Sequence, residues 1–111
     1  MSLILDGSSG TTGNLANGDL QVNGVTVGKG GGTISSNTAV GASALASNTT
    51  GSQNIALGFY ALQGITTGSN NTGVGYGAAF RITTASDNSA FGNYSLQSNT
   101  TGAYKIGRAH V

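Results

Sequence analysis

From Asn37 onward, apolar and polar positions recur with a period of seventeen residues. Four copies run NTAVGASALASNTTGSQ, NIALGFYALQGITTGSN, NTGVGYGAAFRITTASD and NSAFGNYSLQSNTTGAY, beginning at Asn37, Asn54, Asn71 and Asn88. Position three is always tiny (Ala39, Ala56, Gly73, Ala90) and position four apolar and larger (Val40, Leu57, Val74, Phe91). Position five is always glycine: Gly41, Gly58, Gly75 and Gly92. Positions thirteen and fourteen are always a threonine pair, whose first members are Thr49, Thr66, Thr83 and Thr100. A shorter preliminary copy is read at VTVGKGGGTISS, where Val27-Gly28 precedes Val40-Gly41 by thirteen residues.

A short fixed period makes each copy one structural unit that buries its apolar face by stacking on its neighbours. Helices suit this unit poorly, because each copy carries Gly, Thr-Thr and Asn, and each helical Gly costs about 1 kcal/mol. The pattern predicts a mainly β fold, a repetitive β-solenoid or parallel β-roll of 17-residue coils. Each coil has a strand over NTAVG, a Gly corner, a second leg that is either extended or one short helical turn, and a polar turn. Like residues then stack about 4.8 Å apart. The Asn column is expected to form an amide ladder. The Gly column marks a corner needing positive φ or close backbone approach, and the Thr columns supply hydroxyl ladders with good strand propensity. Positions four and nine (Leu45, Leu62, Ala79, Leu96) are expected to form a slim core. Four such coils bury little, so association of several chains is expected.

Composition sharpens this picture. The 111 residues suit one small domain and include 20 Gly, no Pro, no Cys and no Trp. Only 6% are charged, against roughly 25% in ordinary soluble domains. Abundant Thr, Val and Ile with near-neutral charge argue for order. No apolar run approaches the ~20 residues of a membrane helix, so membrane insertion is not expected. The four-residue apolar stretch in MSLILDG lacks a basic flank and is too short for a secretory signal core.

The ending departs from the repeat. Where it calls for Asn, the chain has Lys105, and residues 105–111 read KIGRAHV. This heptapeptide resembles the translation of a common sequencing-library adapter whose next codon is a stop. Residues 105–111 are therefore read as a non-native, adapter-derived tail to be set aside from the fold, and the natural chain is expected to continue. Without Lys105 and Arg108, Lys29 and Arg81 face Asp6, Asp19 and Asp87, which turns the formal net charge from +1 to −1.

Chemistry is sparse. The one histidine, His110, sits in that tail, leaving no usual neutral-pH base and no imidazole ligand. The three Asp residues are isolated, and the repeat lacks the recurring Asp of calcium-binding rolls. GVTVGKGGGT misses the phosphate-loop spacing, since Gly24 lies too near Gly28-Lys29 and Gly30 follows the lysine. Two cations outside the tail make no basic stripe for nucleic acid. No catalytic, cofactor-binding or metal-binding residues are assigned. Sequons such as Asn48-Thr49-Thr50 and Asn93-Tyr94-Ser95 follow from composition. Phe59, Tyr60, Tyr76 and Tyr94 follow the corner Gly. Packing favours turning them inward to fill the corner; turned outward, they could stack on glycans or meet another chain.

The copies NTAVGASAL, NIALGFYAL and NSAFGNYSL resemble the head repeats of trimeric YadA-like autotransporter adhesins. They are still more similar to the NTAVG…AL…NTTG arrays of bacteriophage tail-fibre proteins, and MSLILDGSSGTTG and LQVNGVTVGKGGG resemble the start of such proteins. The resemblance covers residues 1–104. It implies a homotrimeric structural or adhesive shaft on the virion, without catalysis. Its implied partners are other fibre or baseplate proteins and a host cell-surface glycan. Residues 1–26 would be an attachment or entry region and 27–104 the repeat shaft. A bacterial trimeric adhesin head on the cell surface is the alternative, weakened by the absence of a signal at Met1. A different class is an ice-binding solenoid using the Thr columns.

Overall fold

The computed structural model describes residues 19–97, Thr100 and 102–108. Seven short strands form one sheet in chain order: β1 (Leu20–Val22), β2 (Val25–Gly28), β3 (Thr38–Val40), β4 (Ile55–Leu57), β5 (Thr72–Val74), β6 (Ser89–Phe91) and β7 (Ile106–Arg108). From β3 to β7 every neighbouring pair is parallel, and the partners are seventeen residues apart, as in Thr38↔Ile55, Ile55↔Thr72 and Thr72↔Ser89. The fold is therefore a β-solenoid of about four turns. The described part is elongated, with extents of 44 × 28 × 17 Å.

No helix occurs among the described residues. The second leg, open between strand and helical turn in the sequence, is a run of tight turns. Ala61, Gln63 and Ile65 donate backbone N–H bonds three residues back, to Gly58, Tyr60 and Leu62. Left-handed residues at Tyr60 (φ 62°) and Leu62 (φ 50°) break the run before it winds into a helix.

The core is a single thin layer, and it corrects the expected one. Position nine is buried as expected, at Leu45, Leu62 and Ala79, with Leu96 partly covered. Position four is not: Leu57 is 46% and Phe91 49% exposed. Side chains alternate across a strand. The tiny third position (Ala39, Ala56, Ala90) points inward with no exposed surface, so its larger neighbours point out. Position eight (Ala44, Ala61, Ala78) and the isoleucines Ile65 and Ile82 complete the layer. Coil three carries smaller residues than coils two and four: Gly73 in place of alanine, Gly77 of tyrosine and Ala79 of leucine. A Cβ on Gly73 would lie 2.9 Å from Leu62 Cγ, and one on Gly77 would lie 2.8 Å from the Tyr94 ring.

The preliminary copy is not a coil. Asn23 (φ 50°) and Gly24 (φ 84°) form a two-residue reversal between β1 and β2, the left-handed pair that a tight hairpin requires. As a result β2 runs antiparallel to β3, with Val27 opposite Val40. This hairpin spans residue 26, the expected end of the entry region, and belongs to the same sheet; residues 1–18 of that region lie outside the described residues.

At the other end, the sheet continues into the tail that was set aside. β7 pairs in register with β6, and Ser89 N–H donates to the Lys105 carbonyl at 2.7 Å. Backbone pairing does not depend on side-chain identity. The steric demand within the strand, a small third residue, is met by Gly107, whose Cβ would run into the Leu96 side chain. Pairing and origin are separate matters, and residues 109–111 lie outside the described residues.

Candidate functional site

The asparagine column lines one buried edge of the stack. Asn37, Asn54, Asn71 and Asn88 are all at most 5% exposed. Each side-chain oxygen accepts the backbone N–H of the equivalent residue one coil on: Asn54 to Asn37 at 2.8 Å, Asn71 to Asn54 at 2.9 Å, Asn88 to Asn71 at 3.0 Å. The Lys105 N–H donates the same bond to Asn88 Oδ1 at 3.0 Å. The amide nitrogens of Asn37, Asn54 and Asn71 donate to the carbonyls of Gly51, Gly68 and Ala85 in their own coils. Asn71 and Asn88 also donate to the amide oxygen one coil back, at 3.2 and 3.1 Å. The amides of Asn37, Asn54 and Asn71 thus close their own coils, and every oxygen of the column locks its coil to the next.

The glycine column satisfies both conditions expected of it. Gly41, Gly58, Gly75 and Gly92 have φ of 139°, 132°, 127° and 105°. A Cβ on Gly41 would lie 2.5 Å from the Gly58 carbonyl oxygen. Three further positions per coil are left-handed without a glycine column. They are position seven (Ser43, Tyr60, Gly77, Tyr94), position nine (Leu45, Leu62, Ala79, Leu96) and position seventeen (Gln53, Asn70, Asp87, Tyr104). The sequence marks the first through Gly77 and the last through Asn70 and Asp87, because Gly, Asn and Asp tolerate this conformation.

The threonines form columns in bends, not in strands. Thr49 and Thr66 donate their hydroxyls to the carbonyls of Thr66 and Thr83, at 2.9 and 3.2 Å, so these hydroxyls bond the backbone of the next coil and not one another. Thr83 and Thr100 continue the column through a backbone bond of 3.2 Å. Thr50, Thr67 and Thr84, beside them, are exposed.

The aromatics face outward, against the packing expectation. Phe59, Tyr60, Tyr76 and Tyr94 are 39–44% exposed, because the buried corner has room only for glycine and alanine. Phe59 and Tyr76 stack at 5.3 Å with planes 8° apart, and Tyr94 meets Tyr76 edge-on at 4.9 Å. A hydrogen bond with Tyr76, together with desolvation and the Tyr76 charge, raises the Tyr94 phenol above its ordinary 10.0.

A groove of about 160 Å³ lies between the hairpin and the first coil, lined by Asp19, Gln21, Thr26 and Ser43 among others. Asp19 is the buried carboxylate there, and its oxygens accept the Lys29 and Gly30 N–H groups at 2.8 and 2.7 Å. It fastens the hairpin to the chain that follows. Asn48 Oδ1 is buried without a partner among the described residues; it occupies the row that Ile65 and Ile82 fill in later coils. Among the described residues no group of three His, Cys, Asp or Glu converges, and no helix is long and apolar enough to cross a membrane. No family model, no curated protein and no solved structure matches the chain.

Proposed function

We propose that the chain is a shaft segment of a bacteriophage tail fibre, a structural and adhesive element without catalysis, working as a homotrimer. The asparagine ladder carries this reading. A motif that fixes each coil to the next by identical bonds makes a rod whose length scales with copy number. The chemistry-bearing groups are spent within it: amides on backbone, Asp19 on the first corner, the Thr49 and Thr66 hydroxyls on carbonyls. A core one side chain thick supports association of several chains. Partners in this reading are other fibre or baseplate proteins and, at the host, a surface glycan.

The test is immunogold electron microscopy with antibodies raised against residues 27–104. Gold on the tail fibres of virions is the expected result. Gold on bacterial surfaces in phage-free cultures would replace this reading with the adhesin one.

The exposed column Thr50, Thr67 and Thr84 favours a second reading, an ice-binding face. It has only half its lattice, since Thr49 and Thr66 direct their hydroxyls along the stack. Thermal hysteresis would establish it, and its absence would remove it.

A further inference from the structure

We infer that the outer face of the sheet, continued by the aromatic ridge, is a seam against a second copy of this chain. This deepens the fibre reading above and rests on it for the number of copies.

The face follows from strand parity. In β3 to β6 the middle residue is buried and the flanking ones point away from the core. The registers Val27↔Val40 and Val22↔Val25 place the hairpin valines on that same side. Val22, Val25, Val27, Ile55, Leu57 and Phe91 are each 41–50% exposed there. No outward position from β1 to β6 carries a charge. The chain thus leaves three valines, Ile55, Leu57 and Phe91 outside, while alanines with Leu45, Leu62, Ile65 and Ile82 fill the inside.

Size supports a stable contact. Strand spacing and rise make the face about 29 by 10 Å. Across the corner glycine, four rings about two-fifths exposed add roughly 300 Å², given that such a ring buries about 200 Å². Together they give about 600 Å² per chain, Thr38, Thr72 and Ser89 included, against the ~800 Å² per partner of a stable interface.

Pitch selects the occupant. The apolar rows repeat at the strand spacing of about 4.8 Å. A helix laid along them repeats at about 5.4 Å and drifts roughly half a row over four coils. Another copy of this solenoid has the same repeat and meets the face row for row.

Ring geometry argues against a glycan on the ridge. A pyranose stacks on an open ring face, whereas Phe59 and Tyr76 turn their faces to each other and Tyr94 abuts Tyr76 edge-on. Tyr60 in turn lies 4.0 Å from Phe59 at 49°, so each ring of the ridge is engaged by a neighbouring ring.

Sedimentation of the 111-residue chain, alone and as the Leu57→Asp/Val74→Asp double variant, tests the seam. The expected result is an oligomer for the parent and a monomer for the variant, with unchanged circular dichroism. A variant Val74→Cys, in a chain with no other cysteine, is expected to form disulfide-linked pairs, and Thr67→Cys is not. A monomeric parent, an oligomer that survives both aspartates, or equal crosslinking at the two cysteine positions would overturn the seam. A dimer that the aspartates dissociate would uphold the seam and contradict the trimer; an undisturbed trimer would do the reverse. Glycan-array binding by the monomeric variant that is lost on Tyr76→Ala would assign the ridge to a glycan and overturn its place in the seam.

Discussion

The side-chain oxygen of Asn54 accepts the backbone N–H of Asn71 at 2.9 Å, seventeen residues further along the chain. Both residues are fully buried, so the bond forms where water cannot replace it. Repeated at every coil, it makes the rod a consequence of one side chain per turn.

Asn71→Ala should therefore cost more than a lost contact. It strands the Asn88 N–H and the Ala85 carbonyl. Each buried orphan costs about 1–3 kcal/mol, so a loss of about 4 kcal/mol is expected. A lowered urea midpoint at unchanged m would register it.

Gly58→Ala tests the corner. Its φ of 132° is hostile to a side chain, and the added Cβ would lie 2.7 Å from the Gly75 carbonyl oxygen. Strain and overpacking together should remove about 3 kcal/mol. Equilibrium unfolding checks this, and an unchanged midpoint would mean the corner relaxes freely.

Gln53→Gly should do the opposite. Gln53 is exposed and left-handed at φ 56°, and its N–H bond to Ser36 is made by backbone. Relief of the left-handed strain, less the added flexibility of glycine in the unfolded chain, leaves a gain of about 0.5–1 kcal/mol. The thermal midpoint should rise.

Tyr94 offers a readout of the aromatic ridge. Its folded phenol holds its proton more tightly than the unfolded chain does, chiefly through the Tyr76 hydrogen bond. The stability this contributes is intact below the unfolded value near 10.0 and is lost as pH rises through the folded value. In an ultraviolet tyrosinate titration, Tyr76→Phe should bring the Tyr94 midpoint down towards 10.0.

The sequence made the solenoid legible because its strongest constraints fall on the same residue type in every copy. Asn uses both its acceptor and its donor at the ladder position, and only Gly fits where Gly41 meets Gly58. Position four was misread because size was taken for burial. The tiny position three was the better clue, since a gap that admits only Ala or Gly must face inward and send Val40 and Leu57 outward. The hairpin was also readable: Asn23-Gly24 between the alternating triplets Leu20-Gln21-Val22 and Val25-Thr26-Val27 is a strong two-residue reversal signal, which the Val-Gly match obscured. Left-handed Tyr60 and Leu62 were not readable, because tertiary packing holds them there and their residue type gives no sign of it. The ring positions of Phe59 and Tyr76 depend on how much room the corner leaves, which a single sequence does not express.

In-register stacking is the claim on which everything else depends, and engineered disulfides test it directly. Ser52 and Ser69, one period apart, have hydroxyl oxygens 3.3 Å apart. Neighbouring strands stand about 4.8 Å apart, within the Cα separation a disulfide spans, about 4.4–6.8 Å. Ser52→Cys/Ser69→Cys should oxidise to an intrachain disulfide. Ser52→Cys/Ser86→Cys, two coils or roughly 10 Å apart, should stay reduced. Failure of the first pair, or equal bonding in both, would contradict the stacked coil.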